Sequence, residues 1–231
     1  MDTVVFKNPT VQKWTNENVV FLPVNGEADT TKRFSLTDFA KGWNIAGYPT
    51  FILVGSDGVE IERFAGTRDT TEIVTTLTDY IAGRNTLTDY LKRAESGMSA
   101  EIASRLAEKY SDRNNSEKAA EYLRQVITLD SGNAGGFLVQ ALFTLGMNAR
   151  GDKQYDTALT YFSQIVENYG KDPVASDAWQ AIGGTYRRMG DTAKAIEQFE
   201  KWFTMWPGAA DSASLREHVD GLKSSWSGTK K

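Results

Sequence analysis

The pattern of apolar and polar residues changes character between residues 83 and 98. Before this point, short apolar runs are separated by Gly, Pro and Asp turns, which is typical of mixed strands and helices. Beyond it, apolar residues recur every three or four positions, which is typical of amphipathic helices. The sequence therefore predicts an α/β part followed by an all-α part.

The α/β part is predicted to run helix, strand, helix, strand, strand, helix. The β-branched run "VVFLPV" at 19–24 indicates a buried strand. Over 35–43, Leu36, Phe39 and Trp43 share one helical face, which predicts an amphipathic helix.

A hairpin and a helix are predicted next. Strands at 50–54 and 59–64 are separated by a Ser-Asp-Gly turn, which favours a hairpin. The helix at 69–83 has Asp69 or Thr70 as its N-cap, an apolar stripe and a terminal glycine. We expect this helix to close the α/β part.

A repeat runs through the helical part. Ala119, Ala158 and Ala195 each begin the second helix of a helical pair, at spacings of 39 and 37 residues. Small residues let helix backbones approach closely, and each pair buries its apolar face only by stacking on the next pair. The period is near the 34 residues of the tetratricopeptide repeat.

The last copy resembles the tetratricopeptide repeat most clearly. The residues that match its pattern are Trp179, Ile182, Gly183, Tyr186, Gly190, Ala195, Phe199 and Pro207. The middle copy keeps Leu145, Gly146, Ala158 and Phe162 of this pattern. The first copy keeps Leu106, Tyr110 and Ala119. Trp202 departs from the pattern because a small residue is usual there, so the next helix is expected to pack differently.

Residues 1–83 resemble the thioredoxin-like superfamily. The segments that carry the resemblance are "VVFLPVNGEAD" and "FAKGWNIAGYPTFILVGSDGVEIERFAG". The resemblance implies a cis Tyr48-Pro49 bond and a loop that docks an extended substrate, formed by Gly47, Tyr48, Pro49 and Thr50. The alternative is that this loop only sets the turn before a strand.

The predicted organisation of the 231 residues is therefore a partial thioredoxin-like α/β fold followed by a helical solenoid. The predicted bounds are 1–83 for the thioredoxin-like domain, 84–98 for a connecting helix and 99–226 for the repeats, whose last helix caps the stack.

The chain has no cysteine and a single histidine, His218. In the resembled family a thiolate attacks a disulfide, so the sequence predicts no catalytic residue here. It also predicts no cofactor and no metal site, because the acidic residues at 25–29 and Asp38 match no calcium-loop spacing. The family's cysteine pair and central strand would precede Met1. We therefore expect a truncated domain, with a naturally reduced one as the alternative.

Net charge and hydropathy limit the classes of partner that the chain is expected to bind. The net charge is −4 and no basic run stands out, so a nucleic-acid partner is not expected. No apolar run is long enough to predict a membrane span. The repeats predict a protein or peptide partner, with Gln180, Arg187 and Arg188 as candidate contacts and a solvated face as the alternative.

Two functions fit these features. The first is a redox-inactive remnant of a thiol-disulfide oxidoreductase whose repeats recruit a partner. The second is a non-enzymatic binding module built on a thioredoxin-like platform. An unpaired sheet edge predicts low solubility or a homodimer through that edge. Exported bacterial proteins often combine these two modules, so the resemblance implies the periplasm, although the first residues do not match a signal peptide.

Overall fold

The computed structural model describes residues 5–22, 42–45, 49–209 and 212–229. The chain forms two compact units, which comprise residues 1–122 and 123–231. The predicted domain bounds at residues 83 and 98 stay a prediction.

The described residues of the first unit contain a two-stranded sheet with helices before and after it. Its elements are α1 (Pro9–Asn18), β1 (Thr50–Val54), β2 (Glu60–Ala65), α2 (Thr70–Ile81), α3 (Leu87–Glu95) and α4 (Ala100–Asp112), and α5 (Ser116–Leu129) extends from this unit into the second.

The predicted hairpin is confirmed. Strands β1 and β2 are antiparallel, with Thr50 opposite Ala65 and Phe51 opposite Phe64. Gly58 has a φ of 82°, a left-handed conformation that glycine adopts without steric cost, so the Asp-Gly step closes the turn. The rings of Phe51 and Phe64 stack with centroids 4.8 Å apart, which anchors the hairpin in the core of the first unit.

The predicted buried strand at 19–24 is wrong over the residues that the structure describes. Val19 to Leu22 form no strand, and Val20 is 98% exposed. Their β-branched composition favours a strand only where a pleated, half-buried surface is available to them. Residues 23 and 24, and the predicted helix at 35–43 up to Lys41, lie outside the described residues.

Helix α2 begins where the sequence predicts. Asp69 is its N-cap: its side chain accepts from the backbone of Thr71 and Glu72, and the Glu72 side chain accepts from Asp69 N–H. This reciprocal capping box satisfies donors that the first turn leaves free. The predicted stripe is only partly right, because Ile73 is buried while Ile81 is 47% exposed.

The second unit is a stack of helices. They are α6 (Leu138–Gly151), α7 (Tyr155–Asn168), α8 (Val174–Met189), α9 (Thr192–Met205) and α10 (Ser212–Thr229). Ala158 and Ala195 have no exposed surface, as expected for the small residues that bring paired helices together.

Helix α10 packs against α9, and its role as a cap of the stack stays a prediction. Val219 is buried against the side chains of α9, including Phe199 and Trp202. The indole N–H of Trp202 donates to the Oγ of Ser176 at 3.0 Å, so this large residue is fully buried with its polar atom satisfied. The position that departs from the repeat pattern is thus part of the core beneath α10.

Candidate functional site

The proline loop is described only in part. Gly47 and Tyr48 lie outside the described residues, and so does the geometry of the Tyr48-Pro49 bond. The carbonyl of Pro49 accepts from Gly66 N–H at 2.9 Å, and Thr50 pairs with Ala65 across the hairpin. The described half of the loop is therefore held by backbone pairing within the hairpin.

A buried ion cluster joins the hairpin to α4. The carboxylate of Glu62 on β2 has no exposed surface, and Arg113 Nη2 donates to its Oε1 at 2.7 Å. Lys109 Nζ lies 3.4 Å from Glu62 Oε2, and the backbone N–H of Leu87 donates to that same oxygen. Each carboxylate oxygen thus has a cationic partner, which a buried charge requires.

The cluster extends to a tyrosine on α2. Lys109 Nζ donates to the Tyr80 hydroxyl at 2.7 Å. Burial raises the pKa of Tyr80, and the negative charge of Glu62 raises it further, so the phenol stays protonated. Burial also lowers the pKa of Lys109, an effect that the charge of Glu62 opposes. One lysine therefore ties β2, α2 and α4 together.

Asp112 lies at the end of α4, beside the same strand. Its Oδ1 accepts from the backbone N–H of Ala65 at 3.2 Å. Burial raises the pKa of Asp112 to about 6, although this hydrogen bond lowers it. The carboxyl group therefore titrates well above the range of an exposed aspartate.

A short segment before the proline loop docks on the turn after α4. Arg63 Nη1 donates to the carbonyl of Trp43 at 2.6 Å, and Asn44 Nδ2 donates to the carbonyl of Arg113 at 2.8 Å. Arg63 is itself held by two hydrogen bonds to Glu60. These contacts fix the position of residues 43 and 44 against the hairpin and the turn after α4.

The predicted partner-binding residues lie on α8. Gln180 is half-buried, while Arg187 and Arg188 are exposed in the last turn of the helix. Gln180 lies seven and eight positions before the two arginines, so the three residues share one face over roughly 10 Å. The structure therefore brings the predicted residues together along one stripe.

Arg150 is a residue that the sequence did not single out. It lies in the last turn of α6, and its Nη1 would be 3.3 Å from a Cβ placed on Gly184 of α8. Gly184 is one turn before Arg187 and Arg188. The three arginines therefore lie close together at the ends of two helices from successive repeats.

Family models assign both parts of the chain. Residues 1–81 match a thioredoxin-like domain, and residues 100–133 and 137–206 match tetratricopeptide repeats. The chain thus joins a thioredoxin-like domain to tetratricopeptide repeats, which confirms the predicted combination. Such repeats form protein-interaction modules.

Two solved structures are similar to part of this chain. The chain is 20% identical to YrrB, described as a TPR protein with an unusual peptide-binding site. That match covers 63% of this chain and 70% of YrrB, with a TM-score of 0.47. It is 21% identical to MamA, with 68% of this chain and 92% of MamA covered and a TM-score of 0.47. A search of curated proteins gave no match.

Within the part of the chain that the structure describes, no helix has the length and apolar character needed to cross a membrane.

Proposed function

We propose that this chain is a non-enzymatic module that binds a peptide segment of a partner protein through its repeats. Gln180, Arg187 and Arg188 are the contacts that we assign to this partner. One observation carries the proposal: among the described residues, neither arginine forms an ion pair or a side-chain hydrogen bond, although both are exposed beside each other on α8. Such donors suit a polar or acidic partner chain.

The thioredoxin-like residues serve as a platform in this proposal. Glu62 is buried between Lys109 and Arg113, and breaking a buried pair by removing one partner costs about 3–5 kcal/mol. The buried ion pairs therefore stabilise the packing of β2 against α4. A fixed hairpin suits a structural support for the repeats.

The other function, an inactive remnant of a thiol-disulfide oxidoreductase, draws support from the thioredoxin-like family match. In that case Gly47, Tyr48, Pro49 and Thr50 would dock a substrate chain. Because the chain has no cysteine, its own residues cannot attack a disulfide. A disulfide-reduction assay of the purified chain is expected to give no turnover above buffer.

Binding is tested with an array of short extended peptides that vary in charge and hydropathy. We expect a subset to bind, and the double variant Arg187→Gln/Arg188→Gln to weaken that binding about tenfold or more. Arg124→Gln removes a charge from α5 and serves as the control. Failure of every peptide to bind the wild-type chain would contradict the proposal.

A homodimer through the sheet edge stays a prediction. Size-exclusion chromatography with light scattering is its test, and a monomer over a range of concentrations would refute it.

A further inference from the structure

The end of α4 and the turn after it contact the chain on both sides of Pro49. On the N-terminal side, Asn44 Nδ2 donates to the carbonyl of Arg113 at 2.8 Å, and Asn114 Nδ2 donates to Asn44 Oδ1 at 3.2 Å. The two asparagines have left-handed backbones, with φ values of 50° and 54°, a conformation that asparagine adopts more readily than most residues. This side is therefore held by a reciprocal pair of side-chain amides.

On the C-terminal side, α4 holds the strand that pairs with the residues after the proline. Asp112 Oδ1 accepts from the backbone N–H of Ala65 at 3.2 Å, and Ala65 pairs with the first residue of β1. The next residue, Gly66, donates to the carbonyl of Pro49 at 2.9 Å. Three consecutive residues, 112–114, thus hold the chain before and after the proline loop, and they belong to the first repeat match.

Arg113 also closes a ring of contacts on the N-terminal side. Its Nη2 lies 2.9 Å from Glu60 Oε1, and Arg63 Nε donates to that same oxygen at 2.9 Å. Arg63 Nη1 donates to the carbonyl of Trp43, and the neighbouring Asn44 returns to the carbonyl of Arg113. The three charged side chains are no more than 19% exposed, so water screens them little. Because hydrogen bonds in such a network strengthen one another, loss of one contact is expected to loosen the rest.

We propose that residues 112–114 form a latch that couples the first repeat to both sides of the proline loop. Displacement of the end of α4 releases Asn44 and Ala65 together. A chain docked beside Pro49 stabilises the latch in return, because coupling between two sites is reciprocal. The inference goes beyond the proposed function and does not depend on it, since every contact lies within residues 43–114 and none involves α8.

Native-state hydrogen exchange of the full chain provides the first test. Asn114→Gly keeps the left-handed backbone and removes the amide that donates to Asn44. We expect the backbone amides of Ala65 and Gly66, on the other side of the proline loop, to exchange about three- to tenfold faster. Lys153→Gly is the matched control, at an exposed residue with a φ of 62° in the second unit, and should leave both amides unchanged. Unchanged exchange in Asn114→Gly would show that the two sides are held independently and would overturn the latch.

The second test perturbs the opposite side. Asp112→Ala removes the acceptor of Ala65, and work at about pH 5, where this carboxyl is largely protonated, avoids a change in net charge. NMR follows the side-chain amide of Asn44, which is expected to exchange with water about three- to tenfold faster than in the wild type. In both tests the backbone amide of Leu77 in α2 should keep its rate, because the latch opens locally. Equal acceleration at Leu77, or no change at Asn44, would overturn the inference and leave the proposed function standing.

Discussion

Gly183 and Phe199 fit each other so closely that no side chain can be added between them. A Cβ on Gly183 would lie 2.7 Å from Cε1 of the Phe199 ring, and both residues are buried in the second unit. Gly146 has the same relation to Phe162, at 2.5 Å. The aromatic residue of each second helix thus fills the space that a missing side chain leaves on the first helix. This fit explains why the repeat pattern requires both residues.

Gly183→Ala is expected to destabilise the second unit. Overpacking a buried site costs about 1–3 kcal/mol, which the better helix propensity of alanine offsets by up to about 1 kcal/mol. Gly221→Ala on α10 is the matched control, since nothing lies within 4 Å of its added Cβ. That change should stabilise by up to about 1 kcal/mol. Urea unfolding followed by tryptophan fluorescence measures both.

A double variant identifies the cause of the Gly183→Ala effect. Phe199→Leu removes ring atoms that the new methyl group would meet, so the two changes together should cost less than the sum of each alone. Additive costs, or a Gly183→Ala variant as stable as Gly221→Ala, would contradict a steric origin.

The repeats were predictable from sequence because this packing is local. Gly183 and Phe199 belong to adjacent helices, and their spacing recurs in Gly146 and Phe162. The run at 19–24 has no comparable local constraint. Its β-branched residues indicate a strand wherever they occur, but strand formation needs a partner from elsewhere in the chain. Val20, which is almost fully exposed, has no described strand beside it.

Glu62→Gln is expected to destabilise the first unit strongly. The carboxylate accepts from the backbone of Arg63 and from Arg113 through Oε1, and from the backbone of Leu87 through Oε2. Oε2 also forms an ion pair with Lys109 Nζ. The NH2 group of a glutamine would face the donors that now surround Oε1 or Oε2. The neutral amide would also leave the charge of buried Lys109 without its counter-ion. The cost should be about 3–5 kcal/mol.

Glu108→Gln is the control for this change. Glu108 lies on α4, in an exposed pair with Arg105 at 3.1 Å, and its replacement should cost less than about 1 kcal/mol. Hydrogen exchange of the α4 amides during urea titration assigns the loss to the first unit. Similar losses of unfolding free energy in the two variants would show that the burial of Glu62 does not cause its effect on stability.

The buried ion cluster could not be predicted from the strand pattern. Alternation in "VEIERF" assigns Ile61 to the buried face and Glu62 to the exposed face, yet Ile61 is 38% exposed and Glu62 is fully buried. The cationic partners of Glu62 are Lys109 on α4 and Arg113 just after it, and only tertiary packing brings these distant residues to β2. Arg150 was missed for the same reason, because its neighbours belong to another repeat.

Asp130→Ala is expected to loosen the turn that precedes α6. The Asp130 carboxylate accepts from the backbone of Gly135 and Phe137 at 2.8 Å, and from Leu138 at 3.3 Å. Without this acceptor the part-buried N–H groups of Gly135 and Phe137 lose their partner, which costs on the order of 1–3 kcal/mol, while Leu138 N–H keeps Asn133 Oδ1 as an acceptor. Ser131→Ala, at an exposed neighbour, should be near neutral.

The effect of Asp130 should also depend on pH. The backbone donors lower the pKa of this carboxyl below its usual value, so its stabilisation is present above the unfolded pKa. This stabilisation is lost as the pH falls through the pKa of Asp130 in the folded state. The difference in unfolding free energy between wild type and Asp130→Ala should therefore shrink below about pH 4. A difference that stays constant to lower pH would contradict the role of the charged form.

Asp112 should give the opposite pH dependence. Burial raises its folded pKa to about 6 from an unfolded value of 3.8, so the folded chain binds the proton more tightly. Between these two values the folded state carries more protons than the unfolded state. Stability therefore falls as the pH rises from about 4 to 6. The change attributable to this group is of order 1–3 kcal/mol.

Asp112→Asn removes this titration and keeps an oxygen that can accept from Ala65. The variant should gain stability over wild type as the pH rises through this window, and the two chains should converge near pH 4. Subtracting the wild-type and variant curves cancels groups such as Asp79, whose pKa is lowered by its hydrogen bond to Arg84. Urea unfolding at closely spaced pH values measures the difference. Parallel curves across the window would mean that Asp112 titrates as an exposed aspartate does, and its burial beside β2 would then be incorrect.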